Sequence, residues 1–250
     1  MEEKARRRGS RRAAELLMPK PPPKKYLPRG IVILFEDADL VVVEKPAGLL
    51  SVPARYEREK NALTLMTRFF RKGNPRSRKE LFAVNRIDRE TSGILVLAKS
   101  LAFRERMHEC WNGGVEKTYL AVAEGALEND AGTVESFLAE DENYRVRSVG
   151  SAEAAALGLR ARFAATRYEV VRRGRGWTSA KVSLLTGRKN QIRAHFAEMG
   201  HPLLGDAVYG RGNSAPRLAL HAWKLAFEHP RTRERVEIVS APPEFFRKFF

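Results

Sequence analysis

The chain is short of the residues that build metal and disulfide sites. It has 1 cysteine, Cys110, which excludes an internal disulfide and any cysteine-based zinc site. Its 5 histidines form no HxxxH or HExxH pair, so no metal site is expected. No stretch approaches the roughly 18–20 consecutive apolar residues of a membrane helix, and no apolar segment follows the basic start as a secretory signal requires. Acidic residues are scarce relative to basic ones. Against 46 Lys and Arg stand 30 Asp and Glu, for a formal charge of +16 over 250 residues. A composition that is 43% apolar argues against wholesale disorder and is enough to bury a core. These features describe a protein of a reducing, cytoplasmic compartment whose positive excess suits a polyanionic partner, most often nucleic acid.

The charge is uneven. Residues 1–30 carry ten Lys or Arg against three Asp or Glu, including Arg6-Arg7-Arg8 and Lys24-Lys25 around Pro21-Pro22-Pro23. Proline runs block helix and favour a solvated, extended chain. Residues 1–29 therefore read as a basic arm and 30–250 as a single domain. A second basic stretch, Arg68 to Lys79, surrounds the turn signal Gly73-Asn74-Pro75 and reads as an exposed loop facing a phosphate backbone.

β-branched runs predict strands at 31–35, 40–44, 81–84, 94–98, 118–123, 132–138, 163–171, 179–185, 218–221, 224–228 and 235–239. Helical spacing of apolar residues predicts helices at 62–70, 101–111 and 191–199, and Pro242 is a suitable first residue for a short final one. Residues 150–159 receive no assignment. Strands outnumber helices and alternate with them irregularly. The fold class is therefore α+β, with a large mixed, mostly antiparallel sheet flanked by helices and loops.

Three polar segments interrupt this pattern. Asn85-Arg86-Ile87-Asp88-Arg89-Glu90-Thr91-Ser92-Gly93 lies between two apolar strands, where a rigid scaffold can aim Asp88 into a cleft. Thr186 to His195 leaves a strand through Gly187 and opens a helix that carries Arg193. Gly200-His201-Pro202-Leu203-Leu204-Gly205-Asp206-Ala207-Val208-Tyr209-Gly210 reads as a constrained structural turn.

Together with Lys45-Pro46-Ala47-Gly48, Lys117-Thr118-Tyr119 and Leu220-His221-Ala222 followed by Phe227-Glu228-His229-Pro230, these segments resemble the motifs of the RluA-type RNA pseudouridine synthases, in order, over residues 31–243. The resemblance implies a catalytic fold with a central cleft and conversion of a uridine in structured RNA, an rRNA or tRNA stem-loop, to pseudouridine. It implies no cofactor and no metal. It assigns Asp88 as the catalytic aspartate, Arg193 as its ion-pair partner and Tyr119 as the tyrosine packed on the flipped base. Arg86 would enter the vacated stack and Ile192 would wall the uracil, with Asn85, Thr91, Arg188 and Asn190 also at the RNA. Asn85 and Asn190 stand where the family has histidines; asparagine hydrogen-bonds but does not titrate, so both are expected to orient loops or RNA. The S4-type domain that many relatives carry ahead of the catalytic body is not expected in the residues before Ile31. A monomer is expected. A catalytically weak RNA-binding protein on the same fold is the alternative reading; a DNA-binding protein would call for helix-turn-helix or zinc-finger patterns that are absent.

Overall fold

The computed structural model describes residues 27–28, 30–74, 76–111, 113–156, 161–210 and 214–250. The basic arm thus lies almost wholly outside the described residues. Eleven strands form one sheet: β1 Val32–Glu36, β2 Leu40–Lys45, β3 Phe82–Ala83, β4 Ser92–Ala98, β5 Val115–Glu124, β6 Ala131–Glu140, β7 Val146–Val149, β8 Arg162–Gly174, β9 Trp177–Leu184, β10 Leu220–Glu228 and β11 Arg235–Val239. The helices are α1 Ala62–Phe70, α2 Leu101–Trp111, α3 Ser151–Ala156 and α4 Gln191–Glu198. The strand order is β1-β2-β4-β10-β5-β9-β8-β6-β7, with β3 beside β4 and β11 beside β10. Every pairing is antiparallel except β4 with β10, which is parallel and joins His221 to Ser92 and Ala222 to Gly93.

Strand alternation explains how the helices settle. Val41, Val43, Leu95 and Leu97 point to one face of β2 and β4 and bury Ala62, Met66 and Phe69 of α1. Leu40, Val42, Ile94 and Val96 point to the other face and bury Phe103 and Met107 of α2. Being covered on both faces, β4 is buried along its whole length. On the other half of the sheet, Ile192 and Phe196 of α4 pack on Ala121, Tyr168, Val182 and Leu220. Tyr119 touches both the α2 core and the α4 core, so a cleft opens between them above β5 and β10. Asn61 caps α1, its side chain accepting from Thr64 N at 2.9 Å.

The narrow parallel contact between β4 and β10 explains Gly93. Its φ is +113°, and a Cβ there would lie 2.2 Å from the Ala222 carbonyl oxygen. Gly93→Ala is expected to lower stability by about 3 kcal/mol or more, since the nearest atoms it would meet are all Ala222 backbone, which cannot swing aside as a side chain would. A urea midpoint within experimental error of wild type would contradict this.

Several expected elements change. The runs 218–221 and 224–228 are one strand, β10, whose register shifts between Ala222 and Lys224, so the apolar period breaks at Trp223. The terminal helix is a single 3₁₀ turn, Glu244–Phe246, beginning after both prolines and not at Pro242. The segment 150–159 contains α3, and β7 has no counterpart among the expected strands. The Arg68–Lys79 stretch lies partly in α1, and its Arg68 and Arg71 pair with Glu59 and Glu80; it does not line the cleft.

Candidate active site

The loop carrying Asp88 has little regular structure of its own and is held by its neighbours. Ser51 Oγ donates to Ile87 O at 2.7 Å and accepts from Ile87 N at 3.1 Å. Gly48 N donates to Arg89 O at 2.8 Å, and Arg89 Nε returns a bond to Gly48 O at 3.0 Å. Lys45, fully buried, donates from Nζ to Pro46 O, Leu49 O and Arg89 O at 2.8, 2.6 and 3.1 Å. The Lys-Pro-Ala-Gly segment therefore holds Arg89 on one side of Asp88, and Ser51, just beyond it, holds Ile87 on the other. Burial pulls the Lys45 amine down to about 7 against the opposing pull of Glu90 and Asp88. Asn85 pins the start of the loop to β4, its Oδ1 accepting from Val96 N at 2.8 Å. Thr91 closes the turn, its N donating to Asp88 O at 3.1 Å; its buried hydroxyl has no partner among the described residues.

The second segment is set by Gln191 at the start of α4. Its Oε1 accepts from Arg188 N and Thr186 Oγ1 at 2.9 and 2.8 Å, and its Nε2 donates to Ala165 O and Thr166 Oγ1 at 3.0 and 2.9 Å. This ties the loop and the helix to β8. Asn190, the residue before α4, has φ +51°, a left-handed conformation that asparagine tolerates better than most residues.

Arg193 stands within ion-pair distance of Asp88, as expected, but a second aspartate holds it more tightly. Its two-pronged partner is Asp206, with Nε to Oδ2 and Nη2 to Oδ1 both at 2.8 Å. Its remaining nitrogen, Nη1, donates to Asn190 Oδ1 at 3.2 Å and stands 3.8 Å from Asp88 Oδ2. The guanidinium also lies over the Tyr209 ring, 5.2 Å from its centre. Asp206 and Tyr209 belong to the segment read as a turn, and both are part of the site's foundation. Both lie in a segment that belongs to the resembling motifs, but nothing there names a role for either residue, and the partner of Asp206 is found only in the fold.

The two carboxylates beside Arg193 differ sharply. The Asp206 side chain is 0% exposed and that of Asp88 is 27% exposed. Burial works against ionisation of Asp206, but the bonds from Arg193, Val208 N and Tyr209 N outweigh it and hold its pKa below the ordinary carboxylate value. For Asp88, burial dominates and pushes the pKa up, with Arg193 and Lys45 opposing and Asp206 adding to the rise. Burial, then the negative Asp88, pushes the Tyr119 phenol well above its ordinary value, so it remains an O–H donor.

These groups line a cleft of about 840 Å³. Tyr119, Ile192, Leu184 and Leu220 make an apolar wall beside Asp88. Asp88 is the sole carboxylate among the described residues that line it, against the cations Arg86, Arg89, Arg104, Lys117, Arg188 and Lys189. Arg86 is exposed and has no carboxylate within 4.0 Å among the described residues. Arg188 is anchored through Nε to Phe163 O at 3.0 Å. Of the residues singled out in the sequence, Asn85, Arg86, Asp88, Thr91, Tyr119, Arg188, Asn190 and Ile192 reach the cleft, whereas Arg193 supports it from behind.

A single carboxylate on the floor of a cation-lined cleft, beside an apolar slot, is the build of an enzyme acting on a polyanion that carries flat bases. The model of the RNA pseudouridylate synthase family matches residues 39–198. The chain is 36% identical over 205 residues to the dual-specificity RNA pseudouridine synthase RluA of Yersinia pestis, covering 80% of this chain and 93% of that protein. It is 36% identical over 231 residues to the protein of the same description from Pasteurella multocida, covering 90% and 97%. Human RNA Pseudouridylate Synthase Domain Containing 1 shares the fold, with a TM-score of 0.68, 24% identity and coverage of 86% of this chain and 84% of that one. The chain belongs to the RNA pseudouridylate synthase family, in its RluA-type branch, and is an RNA pseudouridine synthase. Among the described residues no helix is long and apolar enough to cross a membrane.

Proposed function

We propose that the protein isomerises a uridine in a stem-loop of rRNA or tRNA, with Asp88 as the catalytic carboxylate. The observation that carries this is the isolation of Asp88 as the one acid among the described residues of a basic cleft, beside an apolar wall that includes Tyr119 and Ile192. The uridine leaves its stack, at a cost of a few kcal/mol. It enters between Tyr119 and Ile192, where stacking on an aromatic ring returns about 1–3 kcal/mol. Arg86 stands at the mouth with its guanidinium free to fill the vacated position and bond phosphate. Asp88 acts on the ribose–uracil unit as the N1–C1′ bond breaks. The uracil turns in the slot, C5 bonds to C1′, the C5 proton leaves and N1 gains one. Tyr119, a neutral phenol, relays the C5 proton toward water by accepting it as it gives up its own O–H proton, and N1 takes its proton from water. Atoms balance without an external oxidant or reductant, so the reaction calls for no cofactor and no metal. Residues 30–250 carry this activity; residues 1–29 add phosphate contacts. The protein acts as a monomer in the cytoplasm, where its RNA is.

The description of two relatives as dual-specificity RNA pseudouridine synthases supports more than one RNA substrate, and that of a ribosomal large subunit pseudouridine synthase from Nitrosomonas europaea, 34% identical over 209 residues, supports rRNA as one of them. Pseudouridine mapping of total RNA, with and without this protein, tests the proposal. Specific sites in rRNA or tRNA are expected to be lost and restored by the wild-type gene. Unchanged maps would contradict it.

The pH dependence follows from Asp88. Its pKa is raised in the fold, so the reactive anion is lost as pH falls through a value above that of an ordinary aspartate. The acid limb of single-turnover rate against pH is expected above about pH 3.9, the unperturbed Asp value. A limb at or below that value would show that Asp88 ionisation does not control the rate.

A further inference from the structure

One wall of the cleft is not used by this chemistry. Arg104, His108 and Trp111 lie at i, i+4 and i+7 on α2, a single stripe of that helix, and all three line the cleft. Opposite them, Lys117 sits two residues before Tyr119 on β5, so both side chains point to the same face, roughly 7 Å apart along the strand. Lys117 Nζ donates to Trp111 O at 3.4 Å and lies 5.8 Å from the centre of the indole ring.

The charge here is unbalanced. Lys117 is half-buried and has no carboxylate within 4.0 Å among the described residues. Arg104 Nε is buried without a hydrogen-bond partner, and the nearest carboxylate to that side chain is Glu105, 4.0 Å from Nη2. A cation taken partly out of water without a counter-charge is unfavourable unless an anion joins it. His108 is held through Nε2 to Val84 O at 2.8 Å, which leaves Nδ1 free. Phe82 and Val84 supply apolar floor beside the Trp111 ring.

We propose that Arg104, His108, Trp111 and Lys117 form a second nucleotide subsite, which holds the phosphate and base of the residue adjoining the target uridine. This rests on the reading of Asp88 and Tyr119 as the uridine subsite. Lys117 and Arg104 take the phosphate, whose charge balances theirs, and the base lies against Trp111. The enzyme thereby reads one neighbour of its target, and the distance along β5 sets the spacing between the two subsites.

The test is a coupling measurement on RNA stem-loops. Binding is measured over a range of salt for wild type and Lys117→Met, with unmodified RNA and with RNAs carrying a neutral methylphosphonate at single positions flanking the target. Lys117→Met is expected to weaken binding to unmodified RNA roughly tenfold or more, the scale of a charge-assisted bond. Its log–log salt slope is expected to fall by roughly 0.7, as for one lost single-strand phosphate contact. At one flanking position the methylphosphonate should weaken wild type similarly while weakening the variant little further. Trp111→Leu should couple in the same way to an abasic residue at that neighbour. No loss with Lys117→Met, or losses that add fully at every position, would overturn the subsite. If Lys117→Met does not fold, Arg104→Gln must show the coupling and Lys117→Arg must retain wild-type affinity. Turnover on unmodified RNA is recorded in parallel. Turnover without coupling overturns the subsite alone, and coupling without turnover overturns the catalytic reading alone.

Discussion

Asp88→Asn is expected to abolish uridine conversion, leave RNA binding close to wild type and raise the melting temperature. The loss of rate follows from removing the reactive group itself. Losses of about 10⁴–10⁶ in rate are typical when a nucleophile or its base is deleted from an otherwise intact site. The gain in stability follows from linkage. Burial is the leading influence on Asp88 and raises its pKa in the fold. A folded state that binds its proton more tightly than the unfolded chain loses stability as pH rises through that interval, so at neutral pH the ionised carboxylate opposes folding. Asparagine keeps the shape and removes the charge. The signature is activity lost and stability gained, the pattern of a group kept for chemistry at the expense of the fold. Conversion is measured by nucleoside analysis of a single-turnover reaction, binding by titration and stability by thermal melting. A variant that melts well below wild type would show that Asp88 is a structural residue.

Asp206→Ala is expected to do the opposite to stability. Its carboxylate is fully enclosed and makes two 2.8 Å bonds to Arg193, so removal leaves a buried guanidinium without its main partner. Breaking a buried pair in this way costs about 3–5 kcal/mol. The pH dependence has the reverse sign. Burial opposes the Asp206 charge but Arg193 prevails, so its folded pKa is depressed. Its contribution is present above the ordinary aspartate pKa and is lost as pH falls through the lower, folded value. The variant should therefore lose wild-type stability at neutral pH and show a smaller decline in acid. Activity should fall too, because Arg193 is freed to close the 3.8 Å gap to Asp88 or to swing away from it. Urea unfolding at pH 7 and at acid pH measures both effects. Equal stability of variant and wild type at pH 7 would contradict the ion-pair role.

These two aspartates also show what sequence can and cannot reveal. Asp88 is conspicuous because its loop interrupts two apolar strands and packs several polar residues into a few positions, but its catalytic role is implied by the family resemblance and not by that pattern. Asp206 is as deeply involved, yet it sits among glycines and a proline that read as a turn. Its partner stands 13 positions earlier, on a helix whose orientation only the fold supplies. Lys45 is similar, since its motif gives no sign of burial, and here the side chain is enclosed with its amine on three carbonyls. The long periodic elements are plain: α1 and α2 appear at the expected limits because their apolar spacing meets two faces of the same strands. The failures are local. β10 splits at Trp223 because a register shift breaks the alternation, and β7 and α3 are too short to show a period.

The asparagines at 85 and 190 fit this picture. Asn85 bonds the β4 backbone, and Asn190 adopts a left-handed conformation while accepting from Arg193. Neither asparagine contributes a titrating group. Asn85→His and Asn190→His together are expected not to raise turnover a thousand-fold, and such a gain would refute a structural role for these positions.

The decisive measurement is tritium release from stem-loop RNA labelled at C5 of uridine, with wild type and Asp88→Ala side by side. Wild type is expected to release tritium in step with pseudouridine formed at one position, and Asp88→Ala to release none. Release by neither protein would contradict catalysis in this cleft, and equal release by both would contradict the assignment of Asp88.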